Sequence, residues 1–445
     1  MSARRLCHAA FAALLLVVAL PRLAWAVDVA TLDAGKGLEV WYVEDHTLPM
    51  IAMSASLPAG SSYDPADKPG VAAFAASLLD EGAGALRSQA FQSALNSRGI
   101  RLSISPGRDH MTISLVTLSS HAAEAFRLLG LALAHPRFDA GAVARVRAQI
   151  LAGLKQSEED PKTIAARGFY RRFFHRHAYA HPVEGTAASV RAITVRDLKT
   201  FAKRHWVRGR VKIAVSGDVG GATLKTLLAS AFAKIPDAPP PLPPPAKNMG
   251  APGMHVVAMD VPQPSAVFGL PSIKRDDKDF IPAYIANYIL GGGGFSSRLM
   301  NDVREKRGLT YGISTSLAPY REAGIWVGQV ASKKASMRET IEVVRATMKK
   351  FATQGPTDKE LADAKTYLTG SFPLAFDSNV AIASQLNTFQ VLDLPVDYVE
   401  KRDALIEAVT AADVARVAGR LFDPAKLTVV VAGTLPPAPK KKPAR

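Results

Sequence analysis

Arg304 and Tyr311 are the two residues of this chain whose types and spacing could carry chemistry. They stand at the ends of REKRGLTY, behind the run LGGGGFSSRLMNDV from Leu290 to Val303. A guanidinium and a phenol are both hydrogen-bond donors, suited to an oxygen that gains negative charge during acyl transfer. For the two to meet, the chain must turn between them. Leu299, Met300 and Val303 give a helical apolar face, Glu305 and Lys306 a wet one, and Gly308 stands where a left-handed cap would end the helix. Leu309, Tyr311 and Ile313 then alternate as a strand does, so both side chains can point into one space. The same residues have a plainer reading, since the macrodipole favours arginine in a last turn and tyrosine is ordinary in strands. The four glycines Gly291, Gly292, Gly293 and Gly294 lose too much backbone entropy for a helix or strand interior and predict a turn or a close backbone approach.

The elements that must position this pair lie in a chain with an export leader. Arg4 and Arg5 precede an unbroken apolar run from Ala9 to Leu20, then Pro21 and an Ala24-Trp25-Ala26 cleavage pattern, the organisation of a secretory signal peptide over residues 1–26. The run is too short for a membrane anchor, and no later segment has the length of a membrane helix. The mature protein is therefore expected in the periplasm, with release outside the cell as the alternative. Cys7 lies inside the leader, so disulfides and thiol chemistry are not expected of the mature chain. The charge of +16 falls by the three leader arginines to 16 − 3 = +13, and four more basic residues sit in the tail 436–445. No basic stripe interleaved with aromatics and no nucleic-acid motif accompanies it, which argues against nucleic-acid binding.

Past the leader, strand-like alternation in LEVWYVED and MIAMSASLPAG leads to an apolar helix from Val71 to Leu79, a strand pair, and a long helical region. Residues 236–252, PDAPPPLPPPAKNMGAP, read as a stiff proline-rich linker between 27–235 and 253–435. The second part repeats the first. Ala192–Val219 aligns with Ala408–Leu435 without a gap at an offset of 408 − 192 = 216, placing Gly217 on Gly433. A repeat of that length is a duplicated domain, and its mix of strands and helices without strict alternation predicts an α+β fold, a mostly antiparallel sheet with helices packed on one face.

Tandem α+β domains, the proline-rich linker, the LGGG-x-SSRL segment and Arg304-x-x-x-x-Gly-x-Tyr311 together resemble the M16 metallopeptidases, the pitrilysin or insulinase-like enzymes that include mitochondrial processing peptidase. The resemblance covers Val27 to about Leu435. It implies that Arg304 and Tyr311 hold a peptide substrate beside zinc, and that the Gly291–Gly294 loop lets backbone approach the substrate chamber. It also implies an inverted zincin helix, H-x-x-E-H, in the first domain. The matching residues here are Gly70-Val71-Ala72-Ala73-Phe74-Ala75-Ala76-Ser77, with Ala73 and Ser77 at the ligand positions and Ala76 in place of the general base. The third ligand falls on Ala152 or Gly153, ahead of Glu158-Glu159-Asp160-Pro161. None of these side chains forms a zinc site.

Other clusters do not replace it. Asp80 and Glu81 are adjacent and diverge on a helix. His175, His177 and His181 resemble the family's H-P-x-x-G-T turn, here His181 to Thr186, and a structural or exposed role is expected for them. His205 and Trp206 read as helix-end packing. The resemblance thus implies a non-catalytic subunit that binds no metal itself, pairs with a second M16 chain carrying an intact H-x-x-E-H and zinc, and supplies Arg304 and Tyr311 to that partner's active site. The alternative is a degenerate scaffold or peptide-binding protein with no part in cleavage.

Overall fold

Among the described residues, eight strands belong to the first half: β1 (Ala30–Asp33), β2 (Glu39–Glu44), β3 (Met50–Leu57), the short pair β4 (Gly82–Ala83) and β5 (Leu86–Arg87), β6 (Arg101–Pro106), β7 (Met111–Leu118) and β8 (Lys212–Gly217). Five follow in the second: β9 (Gly253–Val257), β10 (Ser265–Ser272), β11 (Ile313–Tyr320), β12 (Ala323–Ala331) and β13 (Thr428–Ala432). The computed structural model describes residues 28–35, 37–237 and 242–436. The leader and the tail past residue 436 lie outside them.

The strands form a six-stranded sheet in the order β1-β2-β8-β3-β7-β6 and a five-stranded sheet in the order β11-β12-β10-β13-β9. Without β1, the first reads β2-β8-β3-β7-β6, the same succession as β9-β13-β10-β12-β11 in the second. Pairing is antiparallel except β2 with β8 and its counterpart β9 with β13. The offset of 216 reaches individual hydrogen bonds. Thr194 caps the Val195–His205 helix in a reciprocal box with Asp197, and Thr410 caps Ala411–Leu421 in the same way with Asp413. Both helices bury one stripe, Leu198, Phe201 and Ala202 in the first and Val414, Val417 and Ala418 in the second.

Each sheet packs its own helices on one face. Val40, Ile51, Met53, Ile213 and Val215 join the first core, and Phe268, Trp326, Val429 and Val431 the second. The residues between them point the other way, as the period of two requires. In the first sheet, Trp41, Ala52, Val116 and Ala214 meet Ile382, Ala383, Leu386 and Phe389 of the Asn379–Val391 helix, which belongs to the second half. In the second, Val267, Ile325 and Val430 meet Ala165, Phe169 and Phe173 of the Pro161–Phe174 helix, which belongs to the first. The two halves have exchanged a helix. That exchange covers both faces of the central strands, so β3, whose MIAMSASL reads as alternating, is buried at every position from Ile51 to Leu57.

Polar groups lock the exchange. Asn387 is buried, its Nδ2 donating to the Lys212 carbonyl at 2.9 Å while its Oδ1 accepts from Ser56 Oγ at 2.6 Å. Asp109 accepts from Tyr179 Oη at 2.5 Å and from the Arg321 amide at 3.0 Å. Asn387→Ala takes the donor from the part-buried Lys212 carbonyl and the acceptor from the buried Ser56 hydroxyl and should lower stability by about 2 kcal/mol. Urea unfolding would show this as a lower midpoint; an unchanged midpoint would mean that apolar packing alone holds the seam.

Candidate functional site

Two stretches of wide-turn helix, with hydrogen bonds spanning five residues, build the corner that carries Arg304. The first, Tyr288–Gly292, continues the Phe280–Asn287 helix, and the second is Met300–Glu305. Gly291 and Gly292 are therefore helical, which corrects the expectation that the run stays out of a helix interior; of the two readings given for it, a turn or a close backbone approach, these glycines follow the second. Close approach explains them: a Cβ on Gly291 would lie 2.5 Å from Thr315 Oγ1, and one on Gly292 2.6 Å from Asn287 Nδ2. Gly294 differs. It has φ of +56° with open space around it, so its conformation rather than its size selects glycine.

Ser297, Arg298 and Leu299 anchor this corner. Arg298 forks onto Glu360 with two bonds of 2.6 Å, donates to the Gly355 carbonyl at 2.9 Å, and lies over the Phe351 ring. Its role in the motif is to fasten the corner to the start of the Asp358–Gly370 helix. Burial pushes the Glu360 carboxyl up, but the Arg298 and Thr357 hydrogen bonds outweigh it and bring its pKa from 4.5 down to about 2. A depressed folded pKa stabilises the fold above the unfolded value and ceases to do so as pH falls through the folded one. The stability difference between wild type and Glu360→Gln should therefore shrink as pH is lowered from 4.5 towards 2. A pH-independent difference, measured by chemical unfolding, would contradict the assignment.

Leu299, Met300 and Val303 are buried, as their spacing predicts. Gly308 has φ of +61° and its amide bonds the Arg304 carbonyl at 2.8 Å, so the expected left-handed cap is present. Tyr311 departs from expectation, because it lies on a bend and the strand begins only at Ile313. The reason is Thr310. Its Oγ1 donates to the Ala331 carbonyl at 2.7 Å and accepts from the Gly312 amide at 3.1 Å, which pins the backbone and turns Tyr311 outward. Tyr311 is 86% exposed.

Arg304 and Tyr311 flank one residue that sequence reasoning missed. The Arg304 guanidinium sits 4.8 Å from the centroid of the Phe295 ring and pairs with Glu305. Phe295, 71% exposed, also lines a cleft of 470 Å³ with Tyr311, Met300, Ile313 and Lys162, the last contributed by the exchanged helix. Its signal was a large apolar side chain directly after a glycine run, where solvent-facing loops carry small or polar residues.

The zincin helix is present without its chemistry. Val71–Ala76 is helical and buried throughout, and the Ser77 hydroxyl donates back to the Ala73 carbonyl at 2.9 Å, joining the two former ligand positions to each other. Asp64 accepts the Gly70 and Ala72 amides at 2.6 and 2.7 Å and fixes the start of the helix; burial pushes its carboxyl up to about 7 despite these bonds. Gly153 is exposed on the Ala140–Ser157 helix with open space where a side chain would stand. Methyl groups, a back-bonded hydroxyl and a hydrogen atom do not fit a zinc ion. Among the described residues, no group of three His, Cys, Asp or Glu could hold a metal. His175 and His177 are held by linker carbonyls, at 3.1 Å from Gly250 and 2.8 Å from Pro244, and the His181 carbonyl accepts from Arg108. These contacts are structural.

Comparison with known proteins accounts for the fold. Residues 39–187 match the family model described as insulinase (peptidase family M16), and residues 192–368 the model described as peptidase M16 inactive domain. A solved Pseudomonas fluorescens structure described as a peptidase M16 inactive domain superposes with a TM-score of 0.87 at 30% identity, covering 94% of this chain and 100% of that one. The chain belongs to peptidase family M16. Among M16 relatives, the Helicobacter pylori non-peptidase homolog YmxG is 29% identical over 364 residues, 81% of this chain and 83% of that protein. The Bacillus subtilis uncharacterized zinc protease YmxG is 22% identical over 393 residues, 86% and 92% of the two chains. A chain of Candida albicans complex III2 shares the M16 fold at a TM-score of 0.75 and 17% identity, covering 92% of this chain and 96% of that one. Ala73 and Ser77 at the ligand positions and a relative named as a non-peptidase homolog agree on a non-catalytic M16 member.

Proposed function

We propose that this chain is the non-catalytic subunit of a two-chain M16 peptidase and supplies Arg304 and Tyr311 to the active site of a zinc-bearing partner. One observation carries the reading: the donor pair stands ready at an exposed corner in a chain whose own metal helix has been filled with alanine. A scaffold has no chemical need of a solvent-exposed phenol and an arginine that meet the same exposed aromatic ring and its cleft. In the assembled enzyme the Tyr311 hydroxyl and the Arg304 guanidinium donate to the scissile carbonyl oxygen and keep those bonds as it becomes an oxyanion. Arg304 must leave Glu305 to do so, an exchange between two exposed charged partners that costs little. The leader-like N-terminus supports assembly in the periplasm.

Purification of the mature chain from its native host under mild conditions tests this, with co-purifying proteins identified and zinc counted. A second M16 chain with an intact H-x-x-E-H and about one zinc per pair is the expected result. Recovery of the chain alone, or with partners lacking that motif, would replace the split-site reading with the scaffold reading.

A further inference from the structure

A second concave site lies in the first half, away from the Arg304 corner. It has a volume of 670 Å³, and its floor is apolar, formed in part by Phe138, Ala202 and Trp206. Its rim is cationic. Lys199 and Lys203 stand one turn apart on the Val195–His205 helix, Lys234 follows the Gly221–Phe232 helix, and His135 and Arg137 complete the wall.

Asp139 is the one acid in this lining. Arg137 Nε bonds it at 2.7 Å and holds its carboxyl below the usual range, while Arg137 Nη1 donates to the Gly84 carbonyl at 2.8 Å. That acid and that arginine satisfy each other. Lys199, Lys203 and Lys234 form no ion pair with any described carboxylate, although twenty close charge pairs occur among the described residues, Arg137–Asp139 being the one at this cavity. Three ammonium groups thus line a cavity whose single carboxylate, Asp139, is held by Arg137 and also feels the charge of Lys199.

Trp206 is 2% exposed and its indole Nε1–H is itself enclosed, so it contributes an apolar ring to the floor rather than a donor. An ammonium can only donate. The lysines around this cavity therefore ask for an acceptor, and the surplus of positive charge asks for an anion. Lysines serve as point charges for phosphate oxygens, and three of them match a group bearing more than one negative charge. The aromatic floor adds surface for an apolar or planar body attached to that group.

We propose that this pocket binds a phosphate-bearing ligand through Lys199, Lys203 and Lys234. The phosphate has two possible sources, a free phosphate ester or the headgroup of an anionic lipid at a membrane surface. The proposal does not depend on the split active site, because the residues belong to other elements and no partner chain is required.

Isothermal titration of the full mature chain with inorganic phosphate, and sedimentation with vesicles of phosphatidylcholine with or without phosphatidylglycerol, test it at physiological salt. Lys199→Gln with Lys203→Gln is compared with Lys349→Gln with Lys350→Gln, which removes the same charge from an exposed helix elsewhere. Saturable phosphate binding, weakened about thirtyfold by the first pair and unchanged by the second, would support a free phosphate ligand. Binding only to phosphatidylglycerol vesicles, with the same dependence on the two pairs, would assign the headgroup. No binding to either probe, or equal losses in both lysine pairs, would overturn the proposal. All four lysines are exposed, so unchanged thermal unfolding is expected of the variants.

Discussion

In the proposed two-chain enzyme, Tyr311→Phe should lower peptide turnover by about 10²- to 10³-fold, the loss that follows removal of one oxyanion donor. The substitution deletes a single oxygen from a ring that is 86% exposed. Its effect on folding should stay within about 0.5 kcal/mol, as for other surface changes. Because the hydrogen bond strengthens as charge develops on the carbonyl oxygen, the loss should appear mainly in kcat rather than in KM. Arg304→Ala should act on the same step, and Arg304→Lys should restore only part of it, since an ammonium lacks the planar fork. Combining the Tyr311 and Arg304 changes should cost less than the sum of the single losses, as expected of residues that act on one oxygen. The measurement is steady-state cleavage with a purified partner complex, checked by gel filtration for assembly. An intact complex of the Tyr311→Phe variant that cleaves at the wild-type rate would end the split-site account.

Phe169→Ala should destabilise the protein by about 3–5 kcal/mol, the cost of emptying a large aromatic site in a core that cannot fully collapse. Phe169 has no solvent exposure, stacks on Phe173 with centroids 4.9 Å apart, and meets Tyr170 edge-on at 5.6 Å. It sits between the exchanged Pro161–Phe174 helix and the second sheet, where a Cβ on Gly269 would come within 2.8 Å of its ring. Glycine at that position is what allows the ring to reach the sheet. Against a total stability of about 5–15 kcal/mol, the loss is a large fraction of what holds the fold. Urea unfolding followed by far-UV circular dichroism would measure it; a loss below about 1 kcal/mol would show that the helix can repack without the ring.

Local signals carried much of this architecture. The Thr194 and Thr410 capping boxes, the amphipathic helices behind them and the terminal glycines Gly217 and Gly433 are each set by residues within a few positions of one another, so the duplication could be aligned from the chain alone. Leu299, Met300 and Val303 showed their buried face by period, and Gly308 its cap. The misses share a different cause. Thr310 moves Tyr311 off the strand by bonding Ala331, twenty-one residues away, and Thr315 and Asn287 explain Gly291 and Gly292 only once the sheet is built. The helix exchange is more distant still. Phe169 and Phe173 announce an apolar face, but nothing in Pro161–Phe174 states which of two similar sheets it will cover.

Exchanging helices between halves also sets an order on synthesis. The Pro161–Phe174 helix leaves the ribosome before any strand of the sheet it covers, whereas the last strand of the first sheet, β8, ends at Gly217 and its cover ends only at Val391. The interval is 391 − 217 = 174 residues, about 10–35 s at ordinary elongation rates. Through that time Trp41, Ala52, Val116 and Ala214 lie on a sheet face with no partner yet made. The first half thus carries an apolar sheet face that only the second half covers.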